Sequence, residues 1–290
     1  MQLDTVAGRE LTTIGFQLIG GKGTIAIMSD NSLPKTKKSL GQHWLNDEAS
    51  LQAMCDAVAV NDQDTVLEIG PGPGALTKKL IKQAKQVVAV EFDDILAKVL
   101  ASNIPAKNLT VIHQDILKFD LTTLPKKYKV VANIPYYLTS NLLRTLAESS
   151  NPPSAIALLI QKEVAERVAA SPGDMSLLSI SVQLYYQPTL RELVPAYLFT
   201  PPPKVDSQII SLVRHSDALF TDMDTQHFFR VVKAGFAARR KTLLNSLSGG
   251  LRIDKFTTTT AIEQAGLTPQ SRPQELSLED WHKLAQQITA

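Results

Sequence analysis

The sequence predicts an α/β protein: a Rossmann-like sheet followed by a small C-terminal α-helical domain. Three observations carry this. Short apolar runs over 65–69, 87–90, 109–113, 128–132 and 155–161 alternate with segments of helical period, the pattern of parallel strands buried on both faces. The first run ends in Gly70-Pro71-Gly72-Pro73-Gly74 and then resumes as a helix, a strand–turn–helix unit. Beyond about residue 224 only helical periodicity remains.

At 290 residues the chain has room for one large domain and one small one. No uninterrupted apolar run approaches the ~20 residues that span a bilayer, so no membrane partner is expected. The single cysteine, Cys55, excludes an intrachain disulfide; it reads as a buried bystander and, with the composition, points to a reducing, cytoplasmic setting. Net charge is +2, neutral on the question of RNA, but Lys35, Lys37 and Lys38 cluster early and Arg239, Arg240 and Lys241 late. Either cluster can grip phosphates or be plain solvated surface.

Residues 1–34 carry no strong periodicity and are expected to be a disordered leader, with Met28 an alternative start. Gly20-Gly21-Lys22-Gly23 lacks the Ser or Thr of a phosphate loop. Next comes Leu40-Gly41-Gln42-His43-Trp44-Leu45, whose polar pair beside a tryptophan suits either a ligand contact or a packed loop. A helix follows over 48–60, capped by Asn46 or Asp47.

In the glycine turn, three glycines permit positive φ and close ligand approach, and the helix start offers free N–H groups. Glu68 before the turn and the G-x-G-x-G spacing differ from the dinucleotide fingerprint, which favours S-adenosylmethionine (SAM) over a nicotinamide site or an ordinary turn. A helix over 76–84 leads to the strand ending at Glu91, about 20 residues past the motif, where an acid grips ribose hydroxyls. A helix over 93–102 and the strand at 109–113 deliver Asp115, which can accept an adenine amine or cap a turn.

The strand over 128–132 ends in Asn133-Ile134-Pro135-Tyr136-Tyr137. Its carboxyl end faces the same crevice as the glycine turn, and Pro135 stiffens the turn that presents Asn133 and Tyr136. Helices over 138–148, 162–170 and 175–186 and strands over 155–161, 189–194 and 208–214 complete the sheet. Pro201-Pro202-Pro203 holds Phe199 on a rigid turn, where it can serve as a stacking platform. Helices over 224–245 and 277–288 enclose a loop-rich stretch over 248–260. The domain boundary is expected near Ser216, with a catalytic domain over 35–216 and a helical domain over 217–290. His43, His113, His215, His227 and His282 show no ligand spacing, and no metal is expected.

With Glu68-Ile69-Gly70-Pro71-Gly72-Pro73-Gly74, Gln114-Asp115 and Asn133-Ile134-Pro135-Tyr136 in hand, the chain resembles the ribosomal RNA adenine dimethyltransferases, and within them the KsgA type, which acts on small-subunit rRNA. The likeness runs from about Lys35 to the C-terminus. It includes Leu40-Gly41-Gln42-His43-Trp44-Leu45, Phe199 with Pro201 to Ser207, and Phe236-Ala237-Ala238-Arg239-Arg240-Lys241-Thr242-Leu243. Trp44 stands where the family usually has Phe or a similar apolar residue.

The resemblance implies a Rossmann-like SAM-dependent methyltransferase sheet. It places Gln42, His43, Leu45, Glu68, Gly70, Gly72, Glu91, Asp115, Ile116 and Asn133 around SAM. Asn133, Ile134, Tyr136 and Phe199 fall at the target base, and Lys37, Lys38, Lys204, Arg239, Arg240 and Lys241 on RNA. It further implies N6,N6-dimethylation of two adjacent adenosines in the 3′-terminal hairpin of small-subunit rRNA during ribosome biogenesis, by a monomer docking on a small-subunit precursor. The rivals are a large-subunit rRNA adenine methylase conferring antibiotic resistance and a non-catalytic RNA-binding assembly factor.

Overall fold

A computed structural model describes residues 12–18, 21–27, 41–238 and 240–288. The leader, read above as lacking periodicity, holds two strands: β1 (Thr12–Leu18) and β2 (Gly21–Ile27) pair antiparallel from Thr12↔Ile27 to Leu18↔Gly21. The alternation of Ile14, Phe16 and Leu18 was the signal. This hairpin belongs to one unit, Met1–Lys35; Thr36–Ala290 is a second.

In the second unit, β3 (Trp44–Leu45) precedes α1 (Glu48–Asp56), whose cap Asp47 accepts the Ser50 N–H at 2.8 Å. Then β4 (Thr65–Ile69), α2 (Thr77–Gln83), β5 (Gln86–Glu91), α3 (Asp94–Asn103) and β6 (Leu109–His113) alternate. They are followed by β7 (Lys129–Asn133), α4 (Thr139–Ala147), β8 (Ala155–Gln161), α5 (Lys162–Val168) and α6 (Leu177–Gln183). Last in this part come β9 (Tyr186–Val194), β10 (Phe199–Thr200) and β11 (Ser207–Arg214).

Seven strands form one sheet in the order β6-β5-β4-β7-β8-β11-β9. Five run parallel, and β11 lies antiparallel between β8 and β9. The chain winds outward from β4 to β6 and then restarts on the other side at β7. That makes the gap between the carboxyl ends of β4 and β7 the switch point where ligands bind. Apart from the sheet, β3 and β10 pair over two residues, Phe199↔Leu45 and Thr200↔Trp44.

Alternate residues of each central strand pack on opposite faces. Leu67, Val130, Ile156 and Leu158 meet Leu142, Leu143 and Leu146 of α4. Val66, Val131, Ala157 and Leu159 meet Leu51, Met54 and Cys55 of α1 and Leu80 of α2. Burial on both faces explains the unbroken apolar runs.

The C-terminal region comprises α7 (Thr225–Phe236), α8 (Leu243–Leu251), α9 (Lys255–Gln264) and α10 (Leu278–Gln287). Phe228, Val232, Leu247, Ile262 and Trp281 share a core with Met175, Ile180 and Leu184, so α6 forms part of the same cluster. The stretch over 248–260 read as loop is largely helical. Gly250 belongs to α8 because a Cβ there would stand 2.8 Å from Ala234 Cβ: close helix approach outweighs poor helix propensity. The threonine run starts α9 behind Asp254, which accepts the Thr257 N–H at 2.9 Å.

Candidate active site

The glycine turn after β4 has three glycines with positive φ and three different reasons for them. Gly70 (φ +64°) would point a Cβ into open space within the cleft. Gly72 (φ +54°) would drive one to 2.7 Å from Trp44 Cζ3, and Gly74 (φ +88°) to 2.6 Å from Leu100 and Ile104. Gly70 alone of the three lines the cleft, whereas the space a Cβ at Gly72 would need is taken by Trp44.

Two acids flank the turn. Glu91, at the end of β5, accepts the Gly72 N–H at 3.0 Å and the Asp93 N–H at 2.9 Å, so it staples the loop as well as facing the cleft. Burial raises its pKa and these backbone donors oppose the rise. Glu68 is 1% exposed, and neither carboxylate oxygen has a hydrogen-bond partner among the described residues. Burial pushes it up to about 8; Thr77 stands close enough to oppose this in part, without a bond of ordinary geometry. Just past the end of β6, Asp115 caps a 3-10 turn through the Leu117 N–H at 3.0 Å on one carboxylate oxygen, and its other oxygen has no hydrogen-bond partner among the described residues.

Across the switch point, Asn133 ends β7 and its Nδ2 donates to the His43 carbonyl at 3.4 Å. The His43 Nδ1 lies 2.7 Å from the Pro201 carbonyl, and its ring is near-parallel to that of Tyr136 at 6.1 Å. Tyr136 is half-buried, with its hydroxyl 2.8 Å from Ser207 Oγ. Phe199 is 3% exposed and packs with Leu45 and Leu51, so its ring forms a wall rather than an open platform.

These groups surround one cleft of about 330 Å³. Gln42, His43, Leu45, Glu68, Gly70, Glu91, Asp115, Ile116, Asn133, Ile134, Tyr136 and Phe199 all line it. So do Phe92 and Leu117, 59% and 38% exposed, which sequence reasoning missed. Their signal was an apolar residue placed one or two positions after each strand-end acid. Among the expected RNA contacts, Lys204, Arg240 and Lys241 are exposed and form no ion pair among the described residues. Arg240 and Lys241 lie in the turn between α7 and α8, not on a helix. Lys37, Lys38 and Arg239 fall outside the described residues.

The model of the family described as "Ribosomal RNA adenine dimethylase" matches residues 34–290. The chain belongs to the ribosomal RNA adenine dimethylase family. Curated proteins named "Ribosomal RNA small subunit methyltransferase A" are similar to it. That of Dehalococcoides mccartyi strain CBDB1 is 42% identical over 258 residues, covering 86% of this chain and 87% of the relative. That of Streptococcus pneumoniae strain P1031 is 42% identical over 262 residues, covering 86% and 90%.

Among solved structures, a dimethyladenosine transferase from Plasmodium falciparum aligns with a TM-score of 0.70 at 27% identity, covering 83% of this chain and 96% of that one. The 23S rRNA methyltransferase ErmE aligns with a TM-score of 0.68 at 26% identity, covering 84% and 98%.

The adenine dimethylase family makes SAM the cofactor, and the cleft suits it. An unpartnered buried carboxylate at Glu68 matches a cationic amine, the open space over Gly70 admits a ligand, and two strand-end acids suit a ribose and an adenine amine.

Proposed function

We propose that this enzyme dimethylates N6 of adenosine in small-subunit rRNA, using SAM. The observation that carries the reading is the placing of the glycine turn and the Asn133-Ile134-Pro135-Tyr136 turn on two sides of one cleft. Relatives named for the small subunit, at 42% identity, favour that subunit over the large-subunit target of ErmE at 26%. The intact acids at 68, 91 and 115 speak against an idle, purely RNA-binding site.

When bound, SAM supplies an activated methyl group on a sulfonium. Gly70, Gln42 and Leu45 would border its place, Glu91 would take the ribose and Asp115 the adenine, flanked by Phe92 and Leu117. Glu68 would meet its cationic amine, whose charge favours the ionised carboxylate that burial alone disfavours. Asn133 Oδ1 and the Ile134 carbonyl accept the hydrogens of the target amine, whose lone pair is otherwise delocalised into the ring. Tyr136 holds the base after it leaves its stack, against the wall that Phe199 forms. Positioning performs most of the catalysis, and the proton released on alkylation leaves to water.

Lys204, Arg240 and Lys241 hold rRNA phosphates. The two targets are adjacent adenosines of the 3′-terminal hairpin, modified during subunit assembly, and the enzyme acts as a cytoplasmic monomer. No helix among the described residues is long and apolar enough to cross a membrane.

The test is transfer from radiolabelled SAM to unmethylated small subunits and, in parallel, large subunits, with the labelled nucleoside identified. Dimethyladenosine in the small subunit alone is expected. Label in large subunits, or SAM binding without transfer, overturns the reading.

A further inference from the structure

The rim of the cleft carries an aromatic ring that the chemistry above leaves unused. Tyr137 lines the cleft next to Tyr136, yet it is 66% exposed. Tyr136 is tied down by Ser207 and faces His43, whereas Tyr137 has no hydrogen bond or ring contact among the described residues.

Its backbone is nonetheless fixed. The 3-10 turn Tyr136–Leu138 is closed by the Leu138 N–H on the Pro135 carbonyl at 3.0 Å, and the Thr139 hydroxyl donates to the Tyr136 carbonyl at 3.0 Å. One edge of the ring rests on Gly41, where a Cβ would lie 3.7 and 3.8 Å from Cδ1 and Cε1. The other three exposed aromatics among the described residues differ: Phe92 follows Glu91 on the side of the strand-end acids, while Tyr197, 79% exposed on the 3-10 turn Ala196–Leu198, and Phe256 on α9 are not part of the cleft lining.

We propose that Tyr137 is the stacking platform for the unpaired nucleotide next to the target adenosine. The inference rests on the rRNA reading above. A base drawn out of a loop leaves its neighbour without a stacking partner, and a rigid aromatic ring at the mouth of the site replaces that partner. The ring offers a flat face rather than an edge code, so it tolerates any base there, including a second adenosine awaiting its own turn in the cleft.

The experiment compares wild type with Tyr137→Leu and Tyr137→Phe in methylation of unmethylated small subunits. SAM affinity is measured separately by calorimetry. In parallel, a hairpin RNA carrying 2-aminopurine beside the target adenosine reports stacking by fluorescence quenching. The leucine variant is expected to raise KM for the particle about tenfold, the scale of one lost base–aromatic stack, and to abolish the quenching. The phenylalanine variant keeps both, and SAM affinity is unchanged in all three.

Leucine matching phenylalanine, or no change in either variant, overturns the platform. A loss of SAM affinity reassigns the ring to the cofactor and overturns it equally. Wild type that fails to methylate the small subunit overturns the reading beneath it, an outcome distinguishable because it precedes any variant.

Discussion

The Tyr136 hydroxyl and Ser207 Oγ lie 2.8 Å apart, joining the turn after β7 to the first residue of β11. Ser207 is fully buried and pairs with Gln161 on one side and Val194 on the other, so the phenol is tethered to the sheet. Burial raises the pKa of Tyr136 and the serine opposes the rise, so the bond joins two neutral hydroxyls and is worth about 1 kcal/mol. Ser207→Ala is expected to lower kcat severalfold with SAM affinity unchanged. Tyr136→Phe gives a similar loss, and the double variant loses no more than either alone. Additive losses in that cycle would show that the two residues act separately.

Asn133, proposed above to hold the methyl acceptor, has its Nδ2 already engaged by the His43 carbonyl. Asn133→Ala leaves SAM affinity nearly unchanged and cuts turnover about a hundredfold or more, the scale of losing a group that positions the reacting atom. Titration calorimetry beside single-turnover rates checks this, and equal losses in both would place Asn133 in the cofactor site instead.

Gly72→Ala forces a Cβ toward Trp44 at a φ of +54° and is expected to cost about 1–3 kcal/mol of stability. Gly70→Ala meets no neighbour within 4 Å; it destabilises less and weakens SAM binding more. Adding Trp44→Phe to Gly72→Ala recovers part of the loss, measured by denaturant unfolding.

Burial raises Glu68 from 4.5 to about 8. Between those values the folded chain holds a proton that the unfolded chain has released, so stability without cofactor falls as pH rises through that window. Glu68→Gln removes this component of the slope, which Tm against pH detects. An identical slope in both proteins would mean Glu68 is already ionised when folded.

Replacing Arg240 and Lys241 with Gln weakens binding to small subunits and flattens the log K against log salt plot by roughly 1.5–2 in total. An unchanged slope returns these cations to ordinary surface.

The parallel strands were legible because burial on both faces writes itself as an unbroken apolar run, and β8 matches its expected bounds of 155–161. The cleft lining was legible where a residue ends a strand or follows its end, as at Glu91, Asn133 and Asp115. What escaped depends on partners distant in sequence. Gly72 reads like Gly70 until Trp44 is packed against it, and Gly250 reads as a loop until Ala234 of α7 requires a residue without a Cβ. Tyr137 was quoted as part of a motif, but nothing in its spacing distinguishes an exposed ring from the tethered one beside it.

The two-residue pairing of β3 with β10 sets a clock on the enzyme's own birth. Leu45 and Trp44 leave the translating ribosome early, but Phe199 and Thr200, their partners, follow only after more than half of the chain has been made. A nascent polypeptide released only through β8 already contains the glycine turn and Asn133, yet it lacks the wall formed by Phe199 and the tether at Ser207. Closing so long a loop is a late event, so this side of the cleft is completed only after Phe199 and Ser207 have been synthesised.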